Sequence, residues 1–341
     1  MKMNFLRRLA LLCAVLTCGM LLALPAAFAA ERVQVVTSFS ILADMVENVG
    51  GEHVAVTSLV GPDSDAHVYS PRPTDARTLA DADLVVFNGL QFEGWMERLV
   101  DASDYAGPLV VTSDGIDRVA AAHDDHGHDE HDEHDDHDSH EGHDHGDDDP
   151  HGWQDLAMGK LYVANIRDGL SEADPDNAEA YAANAVRYIN EIDATDAEIR
   201  ALLTEIPAST SVITGHDSFG YFASAYGLRF LSPQGLSTEA DPSAANMARL
   251  VDVIREQNVQ ALFHENMTSP AIINQLAEET GLPIAGTLYA DALAAEGEAS
   301  TYLGMMRHNA RVLHDALAQP GHDDHEHEED EHDDHGHGHS H

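Results

Sequence analysis

Short apolar runs of strand length alternate with stretches of helical spacing from residue 32 to residue 318, and the pattern occurs twice. In the first half, residues 32–38 interleave valines with polar residues, and 39–49 place apolar residues at helical spacing until Gly50-Gly51. Strands are expected at 54–60, 83–88 and 108–112, with a helix at 92–100. Leu84-Val85-Val86-Phe87 is continuously apolar, as in a strand covered on both faces of a parallel sheet. In the second half, strands are expected at 211–214, 228–231, 260–263 and 283–288, and helices at 219–226, 242–257, 270–280 and 300–318. Strands alternating with helices predict an α/β fold of two similar lobes, each with a parallel sheet flanked by helices.

The stretch between the halves decides how they are joined. Residues 155–170 read as a helix. Asp174-Pro175 then supplies an N-cap and a proline at the first helical position, and neither Gly nor Pro follows as far as Ile206. A helix over that stretch is ~45 Å long at 1.5 Å per residue, enough to join two lobes with a cleft between them. The expected order is a leader at 1–30, an N-terminal lobe at 31–170 with an insertion at 121–150, a connecting helix at 171–206, a C-terminal lobe at 207–319 and a tail at 320–341.

Lys2, Arg7 and Arg8 precede an apolar run over residues 9–24, and Ala27-Phe28-Ala29 follows, which reads as a cleavable signal peptide for export to a bacterial periplasm. The apolar run falls short of the ~20 residues of a spanning helix, so a retained anchor is disfavoured and no direct membrane insertion is expected. Both cysteines, Cys13 and Cys18, lie in this leader, so the exported part has neither disulfide nor thiolate ligand. The formal net charge of -44 excludes nucleic acid and anionic membrane surfaces as partners and favours attraction of cations.

Four metal-competent side chains follow the expected strands: His67 after 54–60, His151 after 108–112 once the insertion is skipped, His216 after 211–214, and Asp291 after 283–288. Ligands of open α/β sheets sit beyond the carboxyl ends of strands, so two donors from each lobe would converge in the inter-lobe cleft. Three imidazoles and one carboxylate suit a borderline ion such as zinc. Taken singly, each has a plainer reading: a lone histidine after a strand commonly hydrogen-bonds to backbone. His53, His264, His308 and His314 are left in that class, and Asp291 alone could be a helix N-cap.

The residues around these positions carry a resemblance. Asp65-Ala66-His67-Val68-Tyr69-Ser70-Pro71-Arg72-Pro73-Thr74-Asp75, Asp149-Pro150-His151-Gly152-Trp153, Thr214-Gly215-His216-Asp217-Ser218-Phe219-Gly220-Tyr221-Phe222 and the Asp291 segment resemble, in order, the four metal motifs of the zinc solute-binding proteins that serve bacterial ABC importers, the cluster A-I metal-binding family. The similarity runs from about residue 33 to residue 318. It implies two lobes on a rigid helix, one buried ion and an ABC permease in the inner membrane as partner. It also implies zinc over manganese, because manganese members usually place a carboxylate where His216 stands. Some zinc members close the site with water or a nearby acid, so Asp65 is the alternative fourth donor to Asp291. Glu239, in a segment that also resembles the family, is expected to support a ligating imidazole.

Two runs consist almost wholly of His, Asp, Glu and Gly. His123, His126, His128, His131, His134, His137, His140, His143 and His145 lie in the insertion, and residues 321–341 hold eight more of the chain's 24 histidines. Such composition cannot build a packed core and is expected to be disordered without metal. The runs are read as weak accessory zinc sites beside one tightly bound Zn2+, against the plainer alternative of a solvated polyelectrolyte. The expected function is capture of zinc for an ABC permease by a monomer. A periplasmic zinc buffer or chaperone is the first alternative, and a manganese-binding member of the same family the second; a periplasmic metallochaperone is considered as a further partner. A zinc hydrolase is the least favoured, because four protein donors close the site and neither a nucleophile elbow nor a His-Glu-x-x-His helix is present.

Overall fold

The computed structural model describes residues 32–120, 148–208, 210–256 and 259–318. The leader, the nine insertion histidines and the tail fall outside these residues. The described residues from Val33 onward belong to one compact unit.

The first sheet is built from β1 (Val33–Phe39), β2 (Val54–Val60), β3 (Leu84–Phe87) and β4 (Leu109–Val111), in the order β2-β1-β3-β4. The second takes β5 (Ser211–Ile213), β6 (Arg229–Leu231), β7 (Val259–Glu265) and β8 (Ile284–Leu288), in the order β6-β5-β7-β8. Every strand pair within the two sheets is parallel. In each sheet the chain reverses its direction of travel between the two central strands, which opens a crevice beyond their carboxyl ends. The expected two-lobed parallel α/β fold is the one observed.

The helices of the first half are α1 (Ser40–Gly50), α2 (Pro73–Ala80) and α3 (Met96–Ser103); α4 (Leu156–Ala173) and α5 (Ala178–Leu203) follow the insertion. The second half adds α6 (Gly220–Tyr226), α7 (Ala244–Glu256), α8 (Ala271–Thr280) and α9 (Tyr302–Leu317). Gly51 at φ 58° ends α1, its N–H donating to the Glu47 carbonyl. Asp155 caps α4 by accepting from the Ala157 N–H at 2.7 Å.

Three differences from the sequence reading have local causes. Helix α2 lies where only a motif was read, and Pro73 stands at its first position with Asp75 in the first turn. The helix expected at 92–100 starts later, at Met96, because Leu90 and Gln91 hold positive φ and 89–95 form turns. The connecting stretch divides at Asp174: a 3-10 turn at Pro175–Asn177 precedes α5, and the Asp174 carboxylate accepts from the Tyr181 hydroxyl and the Asn177 amide instead of capping. The 26 residues of α5 give ~39 Å.

One continuous apolar core links both lobes. It joins Val35, Val85 and Leu84 of the first sheet to Tyr162 and Ile166 of α4, Tyr188 and Ile192 of α5, and Met305 and Leu313 of α9, and reaches Val212 and Phe263 of the second sheet. A smaller separate core, including Ile213, Leu250, Ile254 and Leu276, seats α7 and α8 on the outer side of the second sheet. Hydrogen bonds cross between the lobes as well. The Trp153 indole and Gln154 amide both donate to the Ala290 carbonyl, at 2.9 and 2.8 Å, and the Asp63 N–H donates to the Leu293 carbonyl at 2.9 Å. Among the described residues no helix is long and apolar enough to cross a membrane.

Candidate metal centre

Each expected donor stands just past the carboxyl end of a strand or at the first turn of a helix. His67 follows β2. His151 opens the 3-10 turn Gly152–Gln154 that leads into α4, and His216 and Asp291 follow β5 and β8. The structure brings all four together: one donor atom from each lies within 4.8 Å of every other. His151, His216 and Asp291 are fully buried and His67 is 5% exposed. Asp291 stands at the centre. Its Oδ2 is 3.0 Å from His216 Nε2 and 3.3 Å from His67 Nε2, and its Oδ1 is 3.6 Å from His151 Nε2.

None of these contacts has hydrogen-bond geometry. The three Nε2 atoms and both Asp291 oxygens are buried without a hydrogen-bond partner. Five such atoms converging on one point would each cost desolvation energy unless a cation filled the space between them. Zinc bonds of about 2.0–2.1 Å arranged tetrahedrally place donors about 3.3 Å apart, and the observed separations bracket that value.

What lies behind the imidazoles fixes which nitrogen faces inward. His151 Nδ1 is 2.7 Å from Asp149 Oδ1, which also accepts the His151 N–H at 2.9 Å. His216 Nδ1 is 2.6 Å from Glu265 Oε2, while Glu265 Oε1 accepts the Gly215 and His216 N–H groups at 3.1 and 3.3 Å. With Nδ1–H donated to a carboxylate, Nε2 keeps its lone pair toward the cluster. A Cβ on Gly215 would press on Glu265 Oε2, and one on Gly220 would overlap Asp149 Oδ2, so two glycines make room for the two carboxylates. Aromatic rings complete the wall: Phe92 lies 4.5 Å from His67 and Trp153 5.3 Å from His151, centroid to centroid.

The cluster's protons follow from burial and charge. Burial lowers the pKa of His67, so it is ready to bind as a neutral base. For His216 burial also opposes charge, but the Glu265 and Asp291 carboxylates outweigh it and hold the pKa well above the ordinary imidazole value. Burial would raise Asp291, yet His216 and His151 outweigh it and keep the carboxyl far below the usual range.

Two sequence expectations are corrected. Asp65 stands outside the donor cluster. Its Oδ1 accepts the His67 N–H at 2.9 Å and its Oδ2 accepts the Thr238 hydroxyl at 2.6 Å, so it ties the His67 loop across the cleft to the second lobe. Glu239 is exposed and no hydrogen bond joins it to a ligating imidazole; Asp149 and Glu265 fill that role. The sequence reading missed both. Asp149 was legible as an acid two residues before His151, whereas no local pattern marks Glu265, whose partner His216 lies 49 residues earlier. Of the histidines set aside, His264 meets the Asn274 amide, His308 the Thr287 carbonyl and His314 the Glu205 carboxylate; His53 packs edge-on against Tyr181.

The family described as "ZnuA: Zinc-uptake complex component A periplasmic" matches residues 35–316. The manganese-binding lipoprotein MntA of Halalkalibacterium halodurans is 32% identical over 291 residues, covering 85% of this chain and 90% of that protein. The iron-binding protein YfeA of Yersinia pestis is 30% identical over 279 residues, covering 81% and 84%. The solved structure of the periplasmic zinc binding protein TroA from Treponema pallidum superposes with a TM-score of 0.74 at 28% identity, covering 85% of this chain and all of that one. This chain therefore belongs to the periplasmic metal-binding family of zinc-uptake component A, whose members are substrate-binding proteins of ABC metal transporters and not enzymes.

Proposed function

We propose that this protein captures Zn2+ in the periplasm and delivers it to an ABC permease, with His67, His151, His216 and Asp291 as the four ligands. The observation that carries the reading is the set of five buried, unpartnered donor atoms aimed at one point. Three of the five are imidazole nitrogens, a softer set than the oxygen-rich sites of manganese, and nitrogen-rich tetrahedral coordination favours zinc. Asp149 and Glu265 keep the Nε2 lone pairs inward, and Asp291 supplies one negative charge to the ion. On binding, the ion displaces any proton on His216, so capture releases protons to solvent. Trp153 and Phe92 exclude water from behind the imidazoles, which strengthens the ion's attraction to the Asp291 carboxylate.

Release requires the His67 loop to withdraw. His67 is the one ligand with any solvent exposure, and a groove of about 430 Å³ lined by His67, Tyr69, Trp95 and Glu239 leads away from it. The leader is read as cleaved on export, with the protein acting as a monomer. The relatives named for manganese and iron favour a second reading, a manganese-binding member. Competitive titration of the purified protein with zinc, manganese and nickel decides between them. Zinc should bind most tightly of the biological pair, zinc and manganese, and a preference for manganese would overturn the assignment. A permease and an ATPase encoded beside this chain would separate delivery to an importer from a free-standing zinc buffer or chaperone.

A further inference from the structure

A groove of about 710 Å³ runs between α2 and α3 and meets the opening above His67, the two sharing Tyr69, Ser70, Trp95 and Arg98. Its walls are apolar at Pro71, Trp95 and Leu99 and carry the guanidinium groups of Arg72, Arg77 and Arg98. No acidic side chain lines it. All three arginines are exposed, and among the described residues none of them forms an ion pair. On a chain with 61 acids and 17 basic residues, three arginines on one groove without an ion pair, Arg72 hydrogen-bonded to Tyr69, are a concentrated local exception.

We propose that the groove is the docking site of the chain's own insertion, residues 121–147. Charge complementarity is the first argument: those 27 residues hold 12 Asp or Glu, nine His and no Lys or Arg. Reach is the second. The insertion leaves and re-enters at Ala120 and Asp148, which pair as a β-bridge, and the next residue, Asp149, holds His151. The His151 and His67 rings are 5.6 Å apart, and Tyr69 of the groove is two residues beyond His67. Thirteen residues out from that foot reach about 40 Å when extended, which spans the distance with slack to spare. The tail also carries acids and histidines, but it starts from the far end of α9 in the other half of the molecule.

Carboxylates of the insertion would pair with Arg72, Arg77 and Arg98, and its imidazoles would lie over the rings of Tyr69 and Trp95, whose centroids are 5.1 Å apart. Docked there, the histidine run ends beside the one ligand with solvent exposure. Ions held loosely by the run would then enter at His67 instead of being lost to bulk solvent. This last step rests on the metal-capture reading; the docking does not.

The test places a photoreactive benzoylphenylalanine at Ala102 on the groove's rim and irradiates the dilute full chain in a chelator, so that the outcome is independent of which ion the site prefers. Cross-links to peptides from 121–147 within the same molecule are expected. The combined Arg72→Gln, Arg77→Gln and Arg98→Gln variant should cut their yield about tenfold, as should Asp→Asn changes along the insertion that keep every histidine, or salt near 1 M, where the screening length falls to about 3 Å. The probe at Ala183 on α5, beside the amino ends of the first sheet's strands, should give none. Cross-links to 319–341, cross-links between molecules, equal yield from Ala183, or a yield unmoved by either set of variants would each overturn the proposal.

Discussion

At the residue scale the centre depends on side chains that never touch the ion. Glu265 spends one oxygen on His216 Nδ1 and the other on two backbone N–H groups, so it fixes both the ring and the loop that carries it. Glu265→Gln keeps the shape and removes the charge, and zinc affinity should fall ~10–100-fold, read by competition with a chelator of known affinity. The same residue makes the site sensitive to pH. With its pKa held above the ordinary value by Glu265 and Asp291, protonated His216 stabilises the metal-free fold. That contribution is complete below about pH 6.5, the unfolded imidazole value, and is lost as pH rises through the raised one. The ion needs the same nitrogen bare, so the zinc-induced rise in Tm should grow steadily from pH 6 to pH 8.5; a flat response would remove His216 from the ligand set. Asp65 and Thr238 act on the opposite side. Thr238→Val deletes the hydroxyl that holds Asp65, and loss of a hydrogen bond to a charged group, about 1.5 kcal/mol, predicts zinc dissociation ~10-fold faster by stopped flow.

At the scale of elements, each ligand owes its position to where a strand stops, and the packing beyond that point is set by small residues. Gly220 begins α6 in the second lobe and lies against Asp149 of the first. In Gly220→Ala the new methyl would overlap Asp149 Oδ2 and push it from His151, so affinity should fall while the urea midpoint of the metal-free protein moves little. A collapse in stability with unchanged affinity would place the glycine's role in packing alone. The strands were legible in the sequence because parallel strands covered on both faces need unbroken apolar runs, as in Leu84-Val85-Val86-Phe87. The four donors were legible because each comes after an expected strand, His151 once the insertion is skipped. Helix α2 was not, since Pro71-Arg72-Pro73 reads as turn until Pro73 is taken as a first helical residue. Glu265 was hidden for a different reason: its partner lies 49 residues earlier, and no local pattern marks a contact that only sheet pairing creates. The break at Asp174 was hidden likewise, because the carboxylate's use by Tyr181 depends on how the following turn folds back.

At the scale of the molecule, one core passes from the first sheet through α4, α5 and α9 into the second, so the lobes are braced against each other before any ion arrives. Such bracing suits a site whose ligands come from both lobes, because less ordering entropy is lost when the ion binds. The unpartnered donors then act as a local defect within a well-packed frame, and filling them should stabilise the whole. At free zinc one hundred times the dissociation constant, binding to the folded state alone adds about 2.7 kcal/mol. The histidine-rich runs stand apart from this frame in composition, since residues so rich in His, Asp, Glu and Gly lack the apolar side chains that wall the buried site. Their sites should therefore be far weaker than the buried one. Deleting residues 121–147 and 319–341 together should leave one zinc per chain after extensive dialysis, with its dissociation constant within about threefold of the intact protein's, while the weak ions seen by calorimetry before dialysis disappear. Retention of no ion by the shortened chain would mean that the tight site draws on the histidine-rich runs, and that the four buried side chains alone do not hold the metal.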